Sequence, residues 1–266
     1  MNNIWIIIKE QLQHLRIIFH IAKYESKASY QGHHLGVAWE ILNPILQTSV
    51  LYLIFGLGLR DRSDVDGVPF LPFLVVGQAA WLFMNNCVQQ GSKSVKGKLN
   101  LISKTKFPIS ILPTIFMVGK LKAFFVKLSI GIITAFFSGI FPSFQWFQFI
   151  YYFIAMILFL LCIGLFTSTV NILFSDFQFI LNTLMRLIFF TSGIMIPLDE
   201  MGSIGEMLRL NPFHYVISGF RNVFLYQVNF WERGYHALFF WTFTFFIGLI
   251  GAHLHLKFRA KFSDFI

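Results

Sequence analysis

The chain has 266 residues, 56% of them hydrophobic and only 12% charged, with a mean hydropathy of +0.67 and a net charge of +9. Soluble globular domains carry about a quarter of their residues as charges, so the composition excludes one and specifies a polytopic membrane protein. In a soluble chain the basic excess would suggest a nucleic-acid partner; here it reports on orientation in the bilayer, and no nucleic-acid partner is expected.

At the N-terminus, Ile4, Ile8, Leu12, Leu15, Phe19 and Ala22 recur at steps of three and four, opposite Lys9, Gln13, Arg16, His20 and Lys23. That period predicts an amphipathic helix lying in the cytoplasmic interface, within an interfacial and gate segment over 1–36. Its apolar block runs only from Ile4 to Ile8 and no small-residue cleavage site follows, so a cleaved signal peptide is not expected. Residues 37–59 form a first span, since about 20 residues at ~1.5 Å rise cross the hydrocarbon core. Its opening is unusual: Gly36, Trp39, Glu40, Asn43 and Pro44 crowd the first turns, where an anchor needs only apolar residues.

The loop RDRSDVDGVP has no basic excess and is placed outside, and 70–89 makes the second span. Residues 91–107 carry Lys93, Lys96, Lys98, Lys104 and Lys106, which places that loop in the cytoplasm. Within it Val95, Leu99 and Ile102 fall at helical spacing, predicting a short amphipathic helix stopped by Pro108. Pro113, Lys120, Lys122 and Lys127 interrupt the next apolar run, so the third span is expected over 121–141. The fourth covers 146–174, the fifth 177–197 with Arg186 near its middle, and the sixth 234–256. Between the last two, 198–233 is too polar to span and too apolar for a plain loop; it reads as an outer re-entrant or interfacial helical hairpin. The fold class is therefore an all-α membrane protein with six spans.

Charge supports this topology. Fifteen Lys and Arg, from Lys9 to Lys27, Lys93 to Lys127 and Lys257 to Lys261, fall on the cytoplasmic side, against Arg60, Arg62, Arg209, Arg221 and Arg233 outside. Both termini are then cytoplasmic in a multi-pass cell-membrane protein.

Catalytic signatures are missing. GSKSVKGKL has five residues between its glycines where a phosphate loop needs four, and Leu99 where Ser or Thr must hold magnesium. His33/His34 and His253/His255 are spaced to diverge on a helix, and Cys87 and Cys162 are single residues in apolar runs, so neither a metal site nor a redox pair is expected. The spans hold almost no carboxylates of the kind that ion-coupled carriers use, but they do hold cations. Lys120 and Lys127 lie seven apart on one helix face with Phe124 between them, and with Arg186 they are the candidates for a substrate pathway. Each deep cation costs about 3 kcal/mol on insertion scales and needs a partner or an anionic guest. The 18% aromatic content fits lipid-facing Phe and also a conduit whose rings stack on sugar faces.

The amphipathic N-terminal helix, the GVAWEILNP opening, the basic loop ending in KTKFP and the NPF segment at Asn211 resemble the permease subunit of type-2 ABC exporters of cell-surface polysaccharides. More narrowly, LGVAWEILNPILQ, FGLGLR, DGVPF and the ending GAHLHLKFRAKFSDFI are similar to the teichoic-acid translocation permeases of Gram-positive bacteria. The resemblance implies a homodimer bound to two copies of a separate ATPase, with no cofactor in this chain and ATP and Mg held by the partner. It implies that the ATPase is contacted through Lys93, Val95, Lys96, Leu99 and Ile102, and that Trp39, Glu40, Asn43 and Pro44 form a gate where a lipid headgroup enters. The cargo it implies is a lipid-linked anionic polymer, polyprenyl-pyrophosphate-linked wall teichoic acid; the alternative is another lipid-linked polysaccharide, a lipid or a drug.

Overall fold

The computed structural model of the chain describes residues 2–28, 34–53, 64–98, 107–174, 176–260 and 262. Ten α-helices carry the described fold: α1 (Asn2–Gln13), α2 (Leu15–Ala28), α3 (Trp39–Tyr52), α4 (Phe70–Lys93), α5 (Leu112–Phe137), α6 (Phe149–Leu173), α7 (Phe177–Thr191), α8 (Gly202–Leu208), α9 (Pro212–Arg221) and α10 (Gly234–Phe258). The chain is an all-α membrane protein. Four of the six expected spans are helices long and apolar enough to cross a bilayer, at Phe70–Lys93, Ile109–Phe137, Phe144–Leu173 and Gly234–Phe258.

α4 organises the bundle. Its apolar window is 78% buried, far more than in the other three long helices, because α5, α6, α7 and α9 all pack around it. A single large core results, centred on Trp81, Phe83 and Met84 of α4, Tyr152 and Phe159 of α6, Phe220 of α9 and Phe240 of α10. Just before α4, Asp64–Val65 pairs antiparallel with Val68–Pro69 through an Asp66-Gly67 turn, both turn residues having positive φ, as a two-residue hairpin requires.

The helix expected to begin near Leu121 begins at Leu112 and ends at Phe137. Pro113 sits in its first turn, where the missing N–H would have had no intrahelical acceptor, so it starts the helix and does not break it. The fifth expected span is helical only over the fifteen residues of α7, about 22 Å at the α-helical rise. The first is helical from Trp39 to Tyr52, and the rest of it from 54 onward lies outside the described residues.

The N-terminal segment is two helices with a break at His14, whose Nδ1 lies 2.8 Å from the Glu10 carbonyl. The buried positions are Ile7, Ile18 and Ala22. Of the apolar stripe read from the sequence only Ala22 is buried; Ile8, Leu12, Leu15 and Phe19 are exposed. One edge of this segment packs on the bundle and the apolar stripe beside it is left outward, the surface that a helix in a lipid interface presents.

Residues 198–233 form a compact helical hairpin. Asn211 caps α9 by accepting from the Phe213 N–H at 2.9 Å, Pro212 takes the first helical position, and Asn211 Nδ2 donates to Ser192 Oγ at 3.0 Å. The Asn-Pro-Phe triplet is thus a helix start fastened to the end of α7. α9 is buried along its length and passes into a π turn over Asn222–Tyr226, from which Tyr226 Oη donates to the Val65 carbonyl at 3.2 Å.

Candidate functional site

α3, α4 and α5 enclose a cavity of about 170 Å³. Helical spacing puts Trp39, Asn43 and Gln47 of α3 on one wall with Pro44 beside them, Leu82, Phe83 and Asn86 of α4 on the second, and Lys120, Phe124 and Lys127 of α5 on the third. Two residue sets that the sequence kept apart therefore meet: the odd opening of the first span and the deep cations of the third. Glu40 lies in α3.

Lys127 is the defining group. Its side chain is 2% exposed, and its Nζ has no hydrogen-bond partner among the described residues. An ammonium taken out of water without a partner costs several kcal/mol, so the charged form is favoured here when something anionic or strongly polar shares the cavity. Lys120, half-buried one face-repeat away, lies with its Nζ 5.4 Å from the centroid of Phe116. Phe124 between them packs against Phe83, Phe125, Phe153 and Phe220, an aromatic floor that holds the lysine-bearing face in place.

Pro44 loosens the opposite wall, since it cannot donate to the carbonyl four residues earlier in α3. Thr48 Oγ1 lies 2.8 Å from the Pro44 carbonyl and 3.3 Å from Gln78 Oε1, so a buried hydroxyl bridges α3 to α4 just beyond the proline. Gln47 and Asn86 were not singled out in the sequence. Gln47 follows Asn43 at helical spacing, which was a legible signal; Asn86 was visible only once α4 was placed beside α5.

Arg186 is not in this cavity. It is exposed on α7 and borders a separate recess of about 400 Å³ with Trp81, Asn85, Gln89, Phe189 and Phe190. The three cations proposed as one pathway are thus divided by α4, which turns Leu82 and Asn86 to the lysines and Trp81, Asn85 and Gln89 to the arginine. Along the arginine side runs a chain of amides. Gln89 donates to Asn85 at 2.9 Å, Ser92 donates to Gln178 Oε1 at 2.7 Å, Asn171 donates to Gln178 Oε1 at 3.2 Å, and Gln178 donates to Asn182 at 2.9 Å.

In the lysine-rich loop, Lys93 and Lys96 are exposed and Lys98 is ion-paired with Glu25 of α2. Val95, expected to face a partner with them, points the other way. It is fully buried with Ile18, Ile111, Leu112 and Ile115, because the loop folds back onto α2 and the start of α5. Leu99 and Ile102 lie outside the described residues. Both cysteines are free thiols, and the described residues contain no cluster of three or more His, Cys, Asp or Glu able to hold a metal.

A family model for ABC-2 type transporters matches residues 16–225, which takes in α2 through α9 and hence every wall of the cavity. The chain belongs to the ABC-2 type transporter family. Among relatives of this ABC-2 chain is an O-antigen export system permease protein from Myxococcus xanthus, 27% identical over 221 residues that cover 82% of this chain and 84% of the relative. Another, from Klebsiella pneumoniae and named in the same way, is 23% identical over 249 residues, 92% of this chain and 93% of its own length. The ABC-2 match makes the bundle a membrane transport domain.

Proposed function

We propose that this chain is the permease of an ATP-driven exporter that moves a polysaccharide carried on polyprenyl pyrophosphate from the cytoplasmic to the outer side of the cell membrane. The observation that carries this reading is the buried Lys127 ammonium, without a hydrogen-bond partner among the described residues, in a partly polar cavity against the opening of the first span. A pyrophosphate headgroup is the guest that such a site is short of: it neutralises Lys127 and Lys120 together, while Asn43, Gln47 and Asn86 supply neutral hydrogen bonds. Trp39 to Pro44 form the gate through which the headgroup arrives, with Pro44 as its hinge.

The engine is a separate ATPase, two copies serving two copies of this chain, with ATP and magnesium held there and the termini and lysine-rich loop on the same cytoplasmic side. Lys93 and Lys96 offer it exposed charge, and Leu99 and Ile102 follow them in the sequence. The recess at Arg186 sets an arginine and two amides among aromatic walls, and an arginine at membrane depth favours burial against the second copy around a conduit. There Trp81, Phe189 and Phe190 give flat surfaces for sugar rings, and the amides exchange hydrogen bonds with passing hydroxyls.

Two cargoes fit. The names of the relatives favour a glycan of the O-antigen kind, while the similarity of the first span and the C-terminal stretch to teichoic-acid permeases favours a polyol-phosphate polymer. Purification from the native membrane should bring an ATPase subunit with the chain; its absence would refute the exporter. With the complex in proteoliposomes, lipid-linked cargo should stimulate hydrolysis, and Lys127→Met should remove the stimulation while leaving the complex assembled. Stimulation by undecaprenyl-pyrophosphoryl glycan but not by the teichoic-acid precursor assigns the first cargo, and the converse assigns the second.

A further inference from the structure

The lysine-rich loop is built on a core of its own. Ile18 of α2, Val95 after α4, Leu112 and Ile115 of α5, Ile172 of α6 and Phe262 after α10 pack into one buried cluster, separate from the large core around α4. Phe262 is the largest side chain in it. Residues 257–262 read KFRAKF, a basic stretch of the kind that a membrane protein leaves in water, yet Phe262 is 0% exposed. His255 in the last turn of α10 sets it in place: the two rings meet edge-on at 5.6 Å, and His255 Nδ1 lies 3.0 Å from Thr169 Oγ1 of α6.

Polar contacts close the same junction. Arg259 Nη1 pairs with Glu10 at 2.7 Å, Glu10 accepts from Ser110 Oγ, and the Ser110 carbonyl accepts from Gln11 Nε2 at 2.9 Å. α1 and the segment after α10 thus fix Ser110 together at the entry to α5. The loop, by contrast, has little to hold its own shape. Its Lys98 N–H donates to the Val95 carbonyl at 3.0 Å in a single tight turn, and between 93 and 98 Val95 alone is buried. One turn is too short to be stable by itself, so where Lys93 and Lys96 point depends on what Val95 is seated on.

We propose that Phe262 is a positioning residue for the lysine-rich loop. It fills the seat shared with Val95, Arg259 keeps the segment that carries it in register with α1, and the exposed Lys93 and Lys96 are thereby held in one direction. The segment after α10 becomes part of the apparatus through which the ATPase acts on the bundle. That last step rests on the reading of Lys93 and Lys96 as an ATPase contact; the positioning itself does not.

Amide hydrogen exchange on the full chain, in complex with whatever subunit co-purifies, tests the positioning. Phe262→Ala should speed exchange over 93–98 and 109–115 at least about tenfold and leave 74–84, inside the large core, at its native rate. Phe262→Leu, which keeps most of the apolar volume, should bring 93–98 back to within about twofold. Val95→Ala, which carries the test if Phe262→Ala does not fold, should give the same pattern from the loop side. The two alanines together should speed 93–98 little more than either alone, because they empty one seat. Exchange at 93–98 indifferent to both alanines, an equal rise at 74–84, or independent effects of the two changes would each overturn the proposal. In proteoliposomes with the ATPase, Phe262→Ala should lower transport per ATP about fivefold while the ATPase stays bound, and Phe262→Leu should recover it. Full coupling in a chain whose loop has loosened would overturn the link to the ATPase. A complex that contains no ATPase would instead refute the exporter, with the exchange result still deciding whether Phe262 holds the loop.

Discussion

Two buried cations, Lys127 and Arg221, sit in the same bundle at 2% and 3% exposure and are treated in opposite ways. The Arg221 guanidinium donates to the carbonyls of Phe73, Gly193 and Ile194 at 3.0, 2.6 and 2.7 Å and lies 3.5 Å over the ring of Phe73. The Gly193 and Ile194 carbonyls belong to the chain just after α7, where backbone acceptors have no intrahelical donor, while the Phe73 carbonyl in the first turn of α4 takes the Arg221 Nε–H beside its helical bond. Arg221 uses three of its five N–H donors in fastening α4, α7 and α9 together. Lys127 has no hydrogen-bond partner among the described residues. A planar fork with several donors suits the first task, whereas a compact ammonium on a flexible stem suits a site that fills and empties. Burial alone does not mark a functional charge; burial without a partner does.

Substitutions sharpen this contrast. Arg221→Met leaves the buried carbonyls of Gly193 and Ile194 without their donor and should destabilise the chain by about 3–5 kcal/mol, seen as a large drop in unfolding temperature in detergent and in membrane yield. Gly77→Ala tests the same clamp without touching the charge, since an added Cβ would lie 2.3 Å from Arg221 Nη2; a loss of about 1–3 kcal/mol is expected from the displaced guanidinium. Lys127→Met should do the reverse, keeping or raising the unfolding temperature while export falls at least about tenfold. A matching loss of stability would mean that Lys127 is structural after all. Arg186→Ala, exposed in the single chain, should lower export only about two- to fivefold with dimer assembly intact; equal loss of both would make its role structural. The smallest effect is expected for Pro44→Ala, which restores a helix donor: about a twofold loss in transport per ATP hydrolysed, at normal membrane insertion.

The sequence announced the long helices because hydropathy over about 20 residues outweighs local detail. It also announced the Lys120–Phe124–Lys127 face, because that pattern is internal to one helix. What it could not announce were relations between helices. Asn86 and Gln47 look ordinary until α3 and α4 are set against α5. Arg186 looked like a companion of the lysines because hydropathy places residues by depth and says nothing of which side of α4 they occupy. Val95 was misjudged for a related reason: one helical stripe in a lysine-rich loop reads the same whether it faces a partner or the chain's own core. Arg221 was counted only as an outer charge, although its setting between Phe220 and Val223 in an apolar helix was a signal that a buried acceptor set awaited it.

The contacts that seat α1 also bear on how the chain assembles. Asn3 Nδ2 meets His253 Nδ1 at 3.3 Å and Glu10 pairs with Arg259, so α1 is anchored on a helix that is made about 230 residues later. Contacts between such distant parts of a chain form late, because the loop they close must first be complete. During synthesis α1 therefore waits in the interface while the other helices insert around α4, and its docking reports that the last span is in place. A chain stopped before α10 would keep that helix undocked, a mark by which quality control can tell an unfinished molecule from a finished one.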